Sequence, residues 1–327
     1  VIHIYFKKPP TKDKYIYGDR FILSILRRLL RGKKTSGVEK VFTNLCKSFD
    51  KIGISYRKNS DFAEIKSTDQ IIVLGTGKLA LEGYKQPNKI IAGIALMNHP
   101  LEWPNLTTEY PIAKYLQHSD WAQDIYIPYY GEKIADTWFS GIDTDLWKPL
   151  EKNKKTEILI YNKIRWNSSF WNENLRHPIL NFLTENKISF KEIVYGSYKE
   201  SEYKALLGEC KGMIFLCEHE SQGFACCEAM ANNVPILAWN QGYCLDPNFI
   251  NWNDGKPLPA TSIPFFHSRC GSSFIDFKDF EGKITKFLKG LNENAYNPRE
   301  YIFENLTLAK SGKRMIEIIN EVYNTEL

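Results

Sequence analysis

Cys217-Glu-His-Glu-Ser-Gln-Gly-Phe-Ala-Cys-Cys-Glu-Ala-Met-Ala231 decides the fold, because short apolar runs bracket it: Gly212-Met-Ile-Phe-Leu216 before and Pro235-Ile-Leu-Ala-Trp239 after. Each run reads as a buried strand, and Phe224 to Ala231 is rich in good helix formers. The unit is strand, acidic loop, helix, strand. Glu220 lies in the loop, and Glu228 follows with seven residues between. With a helix starting near Gly223, Glu228 sits roughly 7 to 8 Å along the axis at ~1.5 Å per residue. It then shares a face with Phe224, four residues back. The N–H groups of Gln222 to Phe224 point into the same space, where a helix N-terminus favours an anion. An anion seat flanked by two hydrogen-bond acceptors suits a phosphorylated polyol such as a nucleotide-sugar.

Upstream, Glu157 to Tyr161 reads as a strand, Trp171 to Asn186 as a helix, and Phe190 to Tyr195 as a strand ending at Gly196-Ser197. Ser201 to Cys210 is a further helix. Before these, Gly141-Ile-Asp-Thr-Asp-Leu-Trp-Lys-Pro149 and the charged run Glu151 to Lys155 mark the best domain boundary in the chain. The first half carries its own series. Val1 to Phe6, Asp69 to Leu74 and Lys89 to Met97 are strands, Val38 to Lys51 is a helix, and Ile134 to Ser140 is a last short strand. Gln117 to Trp121 opens a helix with Ser119 or Asp120 as cap. Alternating strands and helices in both halves predict α/β architecture with two doubly wound parallel sheets. Gly37, at a loop-to-helix junction, lets the backbone approach a ligand. His99 stands at the C-terminal end of a strand, where open α/β sheets bind ligands. Beyond Gly242 the pattern loosens through Ser273, and helices return over Asp279 to Leu291, from Pro298, and over Lys310 to Tyr323.

The chain of 327 residues is long enough for two cores, and its 43% hydrophobic and 25% charged content is that of an ordinary globular protein. The net charge of +5 is too small to argue for nucleic acid. Seven scattered cysteines point to buried thiols in a reducing compartment, hence the cytoplasm. No run approaches the ~20 apolar residues of a membrane span. Asp19 to Arg31 reads as a basic amphipathic helix, which covers the sheet or lies peripherally on an anionic membrane. Val1, not Met, opens the sequence, as in a piece of a longer protein.

The run from Glu220 to Ala231 resembles the Glu, seven residues, Glu signature of the retaining family-4 glycosyltransferases. Ser36-Gly37-Val38-Glu39-Lys40 is similar to their N-terminal glycine-rich turn, and Gly141 to Pro149 to the segment entering their C-terminal domain. The resemblance implies the GT-B fold, two Rossmann-like domains facing across a cleft. Residues 1–147 would form the acceptor-side domain and 148–308 the donor-side domain. Residues 309–327 would be a helix returning to the first.

It further implies that Glu220 meets a hydroxyl of the donor sugar, Glu228 the ribose, and His99 the sugar. Lys163 and Arg165 would hold the diphosphate, and Gln222, Gly223 and Phe224 would offer N–H groups to sugar or phosphate oxygens. Gly37, Gly196 and Ser221 complete the implied donor-binding set. The donor is a nucleotide-diphosphate sugar, the acceptor a glycan or lipid-linked molecule. No resident cofactor and no metal are expected, because cationic side chains and a helix N-terminus can hold the diphosphate.

The sequence departs from the family in two places. A lysine usual five residues after the arginine is Phe170 here, and the N-terminal turn has one glycine where two are common.

Three features invite other readings. Asp143-Thr-Asp145 has the metal-holding form of the GT-A fold. Glu218-His219-Glu220 looks like a metal cluster, although on a strand extension His219 points away from its neighbours. Cys226-Cys227 suggests thiol chemistry, but packing on a helix flank explains it better. The alternatives are a non-catalytic nucleotide- or sugar-binding protein on the same fold, and a metal-dependent GT-A enzyme using Asp143 and Asp145. Donor sugar, base, acceptor, linkage and oligomeric state are not encoded in any of these motifs.

Overall fold

A computed structural model describes residues 1–7, 36–75, 77–150 and 154–326. The expected helix over residues 19–31, and with it the membrane contact, lies outside the described residues, as does the start of the charged run at 151–153. The chain divides into two compact units, Val1–Gly141 with Leu308–Leu327, and Ile142–Thr307.

The first unit is built on six strands: β1 (Ile2–Lys7), β2 (Tyr56–Lys58), β3 (Gln70–Gly75), β4 (Ile90–Gly93), β5 (Ile112–Gln117) and β6 (Ala135–Thr137). All pair in parallel, in the order β2-β1-β3-β4-β5-β6. β3 and β4 are apolar almost throughout because both faces of a parallel sheet are covered. Ile71 to Leu74 and Ile90 to Ala92 are completely buried. The helix Gly37–Ile52 starts where the Ser36 hydroxyl accepts from the Glu39 N–H at 3.2 Å, and it stops at Gly53 in the left-handed region. The last helix, Leu308–Tyr323, lies against it so closely that a Cβ at Gly312 would stand 2.9 Å from the Ser48 carbonyl oxygen. Arg314 meets Asp136 at 2.9 Å, and the Trp138 indole donates to the Ser311 carbonyl at 3.0 Å. The C-terminal helix is thus a layer of the first unit.

The second unit holds five parallel strands, β7 (Thr156–Lys163), β8 (Phe190–Val194), β9 (Cys210–Cys217), β10 (Ile236–Trp239) and β13 (Gly271–Phe274). Between the last two comes the small antiparallel pair β11 (Tyr243–Cys244) and β12 (Leu258–Pro259). The order β13-β10-β9-β7-β8 puts the first strand of the series between the second and third. Successive crossovers therefore leave on opposite sides of β7 and β9, the arrangement in which open α/β sheets bind ligands at the C-terminal strand ends.

Four expectations need correction. The strand read over Lys89 to Met97 spans only Ile90–Gly93, so His99 lies six residues past a strand end rather than at it. The last strand of the first half is Ala135–Thr137 rather than 134–140. The stretch through Ser273 contains β13, whose Gly271-Ser-Ser-Phe274 has no apolar run to betray it. The chain also bends at Glu218 instead of prolonging β9, so residues 218–220 are not a strand extension. β2 also went unread, because it is a three-residue, largely exposed edge strand.

Candidate functional site

The site grows from the register of β7 and β9. Their last residues, Lys163 and Cys217, are partners across the ladder. Beyond them both chains leave the sheet at the switch point. Lys163 reaches Glu220, and the two form an ion pair with side chains only 11% and 16% exposed. The Lys163 ammonium also lies over the Tyr195 ring, 4.6 Å from its centroid. Burial penalises the ammonium, but the Glu220 carboxylate outweighs it and holds the pKa above the ordinary lysine range. The backbone of Glu220 is fixed as well, its N–H donating to the Thr261 carbonyl at 2.9 Å.

Two residues on, Arg165 is exposed, and its guanidinium stands 4.0 Å from the Trp166 ring centroid. Trp166 stacks on His219, centroids 4.8 Å apart and planes 13° from parallel. His219 Nε2 lies 3.5 Å from the Cys244 thiol. Burial and the nearby Arg165 charge push His219 down to about 4, so it is a neutral ring at pH 7. Glu218, wholly buried, accepts from the Arg165 N–H at 2.6 Å and the Trp166 N–H at 2.9 Å.

Gly223 sits at φ 66°, a left-handed conformation natural to glycine, and starts the helix Phe224–Ala231. Having no side chain, it offers the helix no side-chain cap. Glu228 is buried in the middle of this helix, among Cys226, Cys227, Ala229 and Met230. Burial raises the Cys226 and Cys227 thiols above the ordinary cysteine range, which removes them as thiolate nucleophiles. Gly196 follows β8 at φ 85°, directly after half-exposed Tyr195. Lys163, Arg165, Gly196, Glu220, Ser221, Gln222, Gly223 and Phe224 thus gather at one edge of the second sheet, with Glu228 on the helix that starts there.

His99 and Gly37 belong to the first unit. His99 is buried, caps the turn Pro100–Glu102, and accepts the Leu101 N–H on Nδ1 at 3.2 Å. The proton of the neutral ring is then on Nε2. Burial lowers its pKa despite Glu102. The loop leading to it begins with three successive positive φ values, 142° at Gly93, 42° at Ile94 and 71° at Ala95. A β-branched residue there is strained, a cost met most often beside ligand sites. At Gly37 a Cβ would meet nothing within 4 Å, so packing within the chain does not demand glycine.

Asp143 caps a local turn, accepting from the Leu146 N–H at 3.0 Å. Among the described residues no three His, Cys, Asp or Glu side chains form a group suited to a metal ion. Sequence reasoning missed Glu218 as a backbone clamp, Trp166 as a platform and Tyr195 beside Lys163. Only the aromatic character of Trp166 and Tyr195, each just past a strand end, signalled them.

The His219 geometry sets a pH dependence. A histidine held near 4 in the fold and near 6.5 when unfolded contributes stability that is full above ~6.5 and is lost as pH falls toward 4, about 2–3 kcal/mol by pH 4.5. His219→Phe keeps the stack on Trp166 and removes the titration. Urea unfolding at pH 7.5 and 4.5 should show the variant losing less stability than the parent by about that amount. Equal losses would mean that His219 is charged in the fold.

No protein-family model and no curated protein sequence matches the chain. Solved structures do. The lipopolysaccharide outer core galactosyltransferase WaaB aligns over 98% of this chain and 99% of its own, with a TM-score of 0.57 and 10% identity. A glycosyltransferase from Rickettsia africae aligns over 99% of both chains, TM-score 0.53, 11% identity. TarM from S. aureus aligns over 87% of this chain, TM-score 0.55, 13% identity, but this chain spans only 59% of it. The fold is GT-B. At such identities the likeness concerns architecture, and the activity has to be argued from the site. Among the described residues no helix is long and apolar enough to cross a membrane.

Proposed function

We propose that the chain is a glycosyltransferase moving a sugar from a nucleotide diphosphate to a glycan or lipid-linked acceptor, with retention and without a metal ion. One observation supports the reading most: the Lys163–Glu220 ion pair lies just past the paired ends of β7 and β9, two residues before Arg165 in one chain segment and three before the helix start at Gly223 in the other. As the glycosidic bond breaks, charge grows on the leaving phosphate oxygen. Cations and N–H dipoles already in place stabilise that charge with little reorganisation. Glu220 accepts from a sugar hydroxyl while Lys163 balances its charge, and Glu228 accepts from the ribose. Retention rests on the family-4 resemblance.

In this reading residues 148–308 bind the donor, residues 1–147 the acceptor, and 309–327 serve the first domain. His99 is the sugar-contacting histidine, with Gly37 beside the donor. TarM, one of the structural neighbours, was solved with UDP, which fits a nucleotide-sugar donor.

Thermal-shift measurement against a panel of nucleotide-sugars tests this. At a concentration 100-fold above Kd, a true donor should stabilise the protein by ~2.7 kcal/mol, a shift of several degrees. Glu228→Ala should abolish it. An unchanged shift in that variant would mean the nucleotide lies elsewhere. A full shift with no nucleotide released in the presence of acceptors would favour a binding protein over an enzyme.

A further inference from the structure

Glu218 is completely buried at the heart of this edge, yet the donor-site reading gives it no task. Its Oε1 accepts from two successive backbone N–H groups, those of Arg165 and Trp166, at 2.6 and 2.9 Å. Its Oε2 has no hydrogen-bond partner among the described residues. Burial raises its pKa, an effect the two N–H donors only partly offset. A carboxylate is an expensive way to cap a turn, because burying it with one oxygen unsatisfied costs free energy that a serine or asparagine would spare.

What distinguishes the acid is where it grips. β7 ends at Lys163, opposite Cys217, so Arg165 and Trp166 lie beyond the ladder and its hydrogen bonds. Glu218, one residue past Cys217, holds their N–H groups instead. The next residue, His219, stacks on the Trp166 ring, and Arg165 lies over that same ring. Backbone and ring are thus held by two adjacent residues of the opposing chain, and the exposed member of the stack is the Arg165 guanidinium. Arginine carries many rotamers, and each one frozen before binding is not lost on binding.

We propose that Glu218 is a positioning residue: by clamping the Arg165–Trp166 backbone it holds the Arg165 guanidinium over Trp166 at the mouth of the switch point, ready for the diphosphate of the donor. The diphosphate part rests on the function proposed above; the positioning part stands on the geometry alone.

Spectra of 15N-labelled full chain separate the two, with inorganic pyrophosphate as the probe. In Glu218→Ala the Arg165 and Trp166 amides should exchange about tenfold faster, and the Arg165 Nε–H signal, displaced in the parent by the Trp166 ring current, should move toward its free position. Pyrophosphate affinity per folded molecule should fall about tenfold, the scale of one lost charge-assisted contact. Glu218→Gln, whose amide oxygen can accept the same two N–H groups, should restore all three readouts. Should Glu218→Ala not fold, Glu218→Asp keeps the charge and withdraws it by one methylene, and the comparison is the same. Unaltered Arg165 signals in a folded Ala or Asp variant would overturn the inference. Loosened signals with unchanged pyrophosphate affinity would overturn the diphosphate part and leave the clamp standing. A parent protein that shows the ordered Arg165 signals but binds no pyrophosphate would sink the donor-site reading and leave the clamp supported.

Discussion

Lys163→Met is expected to lower sugar transfer by about 10²- to 10³-fold, the usual scale for deleting one preorganised group that stabilises developing charge. The same change should destabilise the fold, because Glu220 is left as a largely buried carboxylate without its cation. Breaking a buried pair costs about 3–5 kcal/mol, and the partial exposure of both groups places the expectation at the lower end. Replacing both partners, as Lys163→Met with Glu220→Met, should recover most of that stability without recovering transfer. The split is informative, since a purely structural pair would regain activity along with stability. The alkaline limb gives a second check. Lys163 is raised above the free-lysine value of ~10.4, so its contribution is complete below that pH and is lost as pH rises through the folded value. The single variant should therefore lose less stability than the parent above pH ~10.4. If Lys163→Met transfers sugar at the parent rate, the diphosphate is not held at this edge.

Much of this site was legible because its decisive residues are close in sequence. From Glu220 to Glu228 strand end, loop and helix are local, and the helix Phe224–Ala231 falls where its composition predicts. The flanking runs became β9 and β10 because parallel strands covered on both faces must be apolar throughout. The Lys163–Glu220 pair and the Glu218 clamp were not legible. They join residues 57 and 53 positions apart, and only the parallel register of β7 and β9 brings them together. Glu218 was also masked by its neighbours, since Glu-His-Glu suggests a metal ligand set. In the fold the three side chains serve different partners, the backbone at 165–166, the Trp166 ring and the Lys163 ammonium. β13 escaped for another reason: its sequence is set by steric limits on the backbone more than by hydrophobicity.

That limit makes Gly271→Ala the most damaging single methyl group available in the second unit. Gly271 pairs with Ile236 at the start of the β10–β13 ladder, and a Cβ there would stand 1.9 Å from the Ile236 carbonyl oxygen. The clash is with backbone, so no rotamer relieves it, and φ at Gly271 is 139°, outside the range a Cβ tolerates well. Relief requires β13 to move off β10. That would pull Phe274, almost wholly buried against Phe280, out of the core with it. Losses above ~4 kcal/mol belong to such mechanisms, a large share of the 5–15 kcal/mol that holds a typical domain. The second unit is expected to unfold or to lose this strand, seen as a collapsed urea midpoint and lost β-sheet circular dichroism. Gly282→Ala is the matched control, because this glycine lies inside the helix Phe277–Asn292 with nothing within 4 Å of its added methyl. There the same substitution should stabilise by up to ~1 kcal/mol through helix propensity. If both variants keep the parent's midpoint, β13 does not pair with β10 at Gly271, and the fifth strand of the second sheet is wrongly placed.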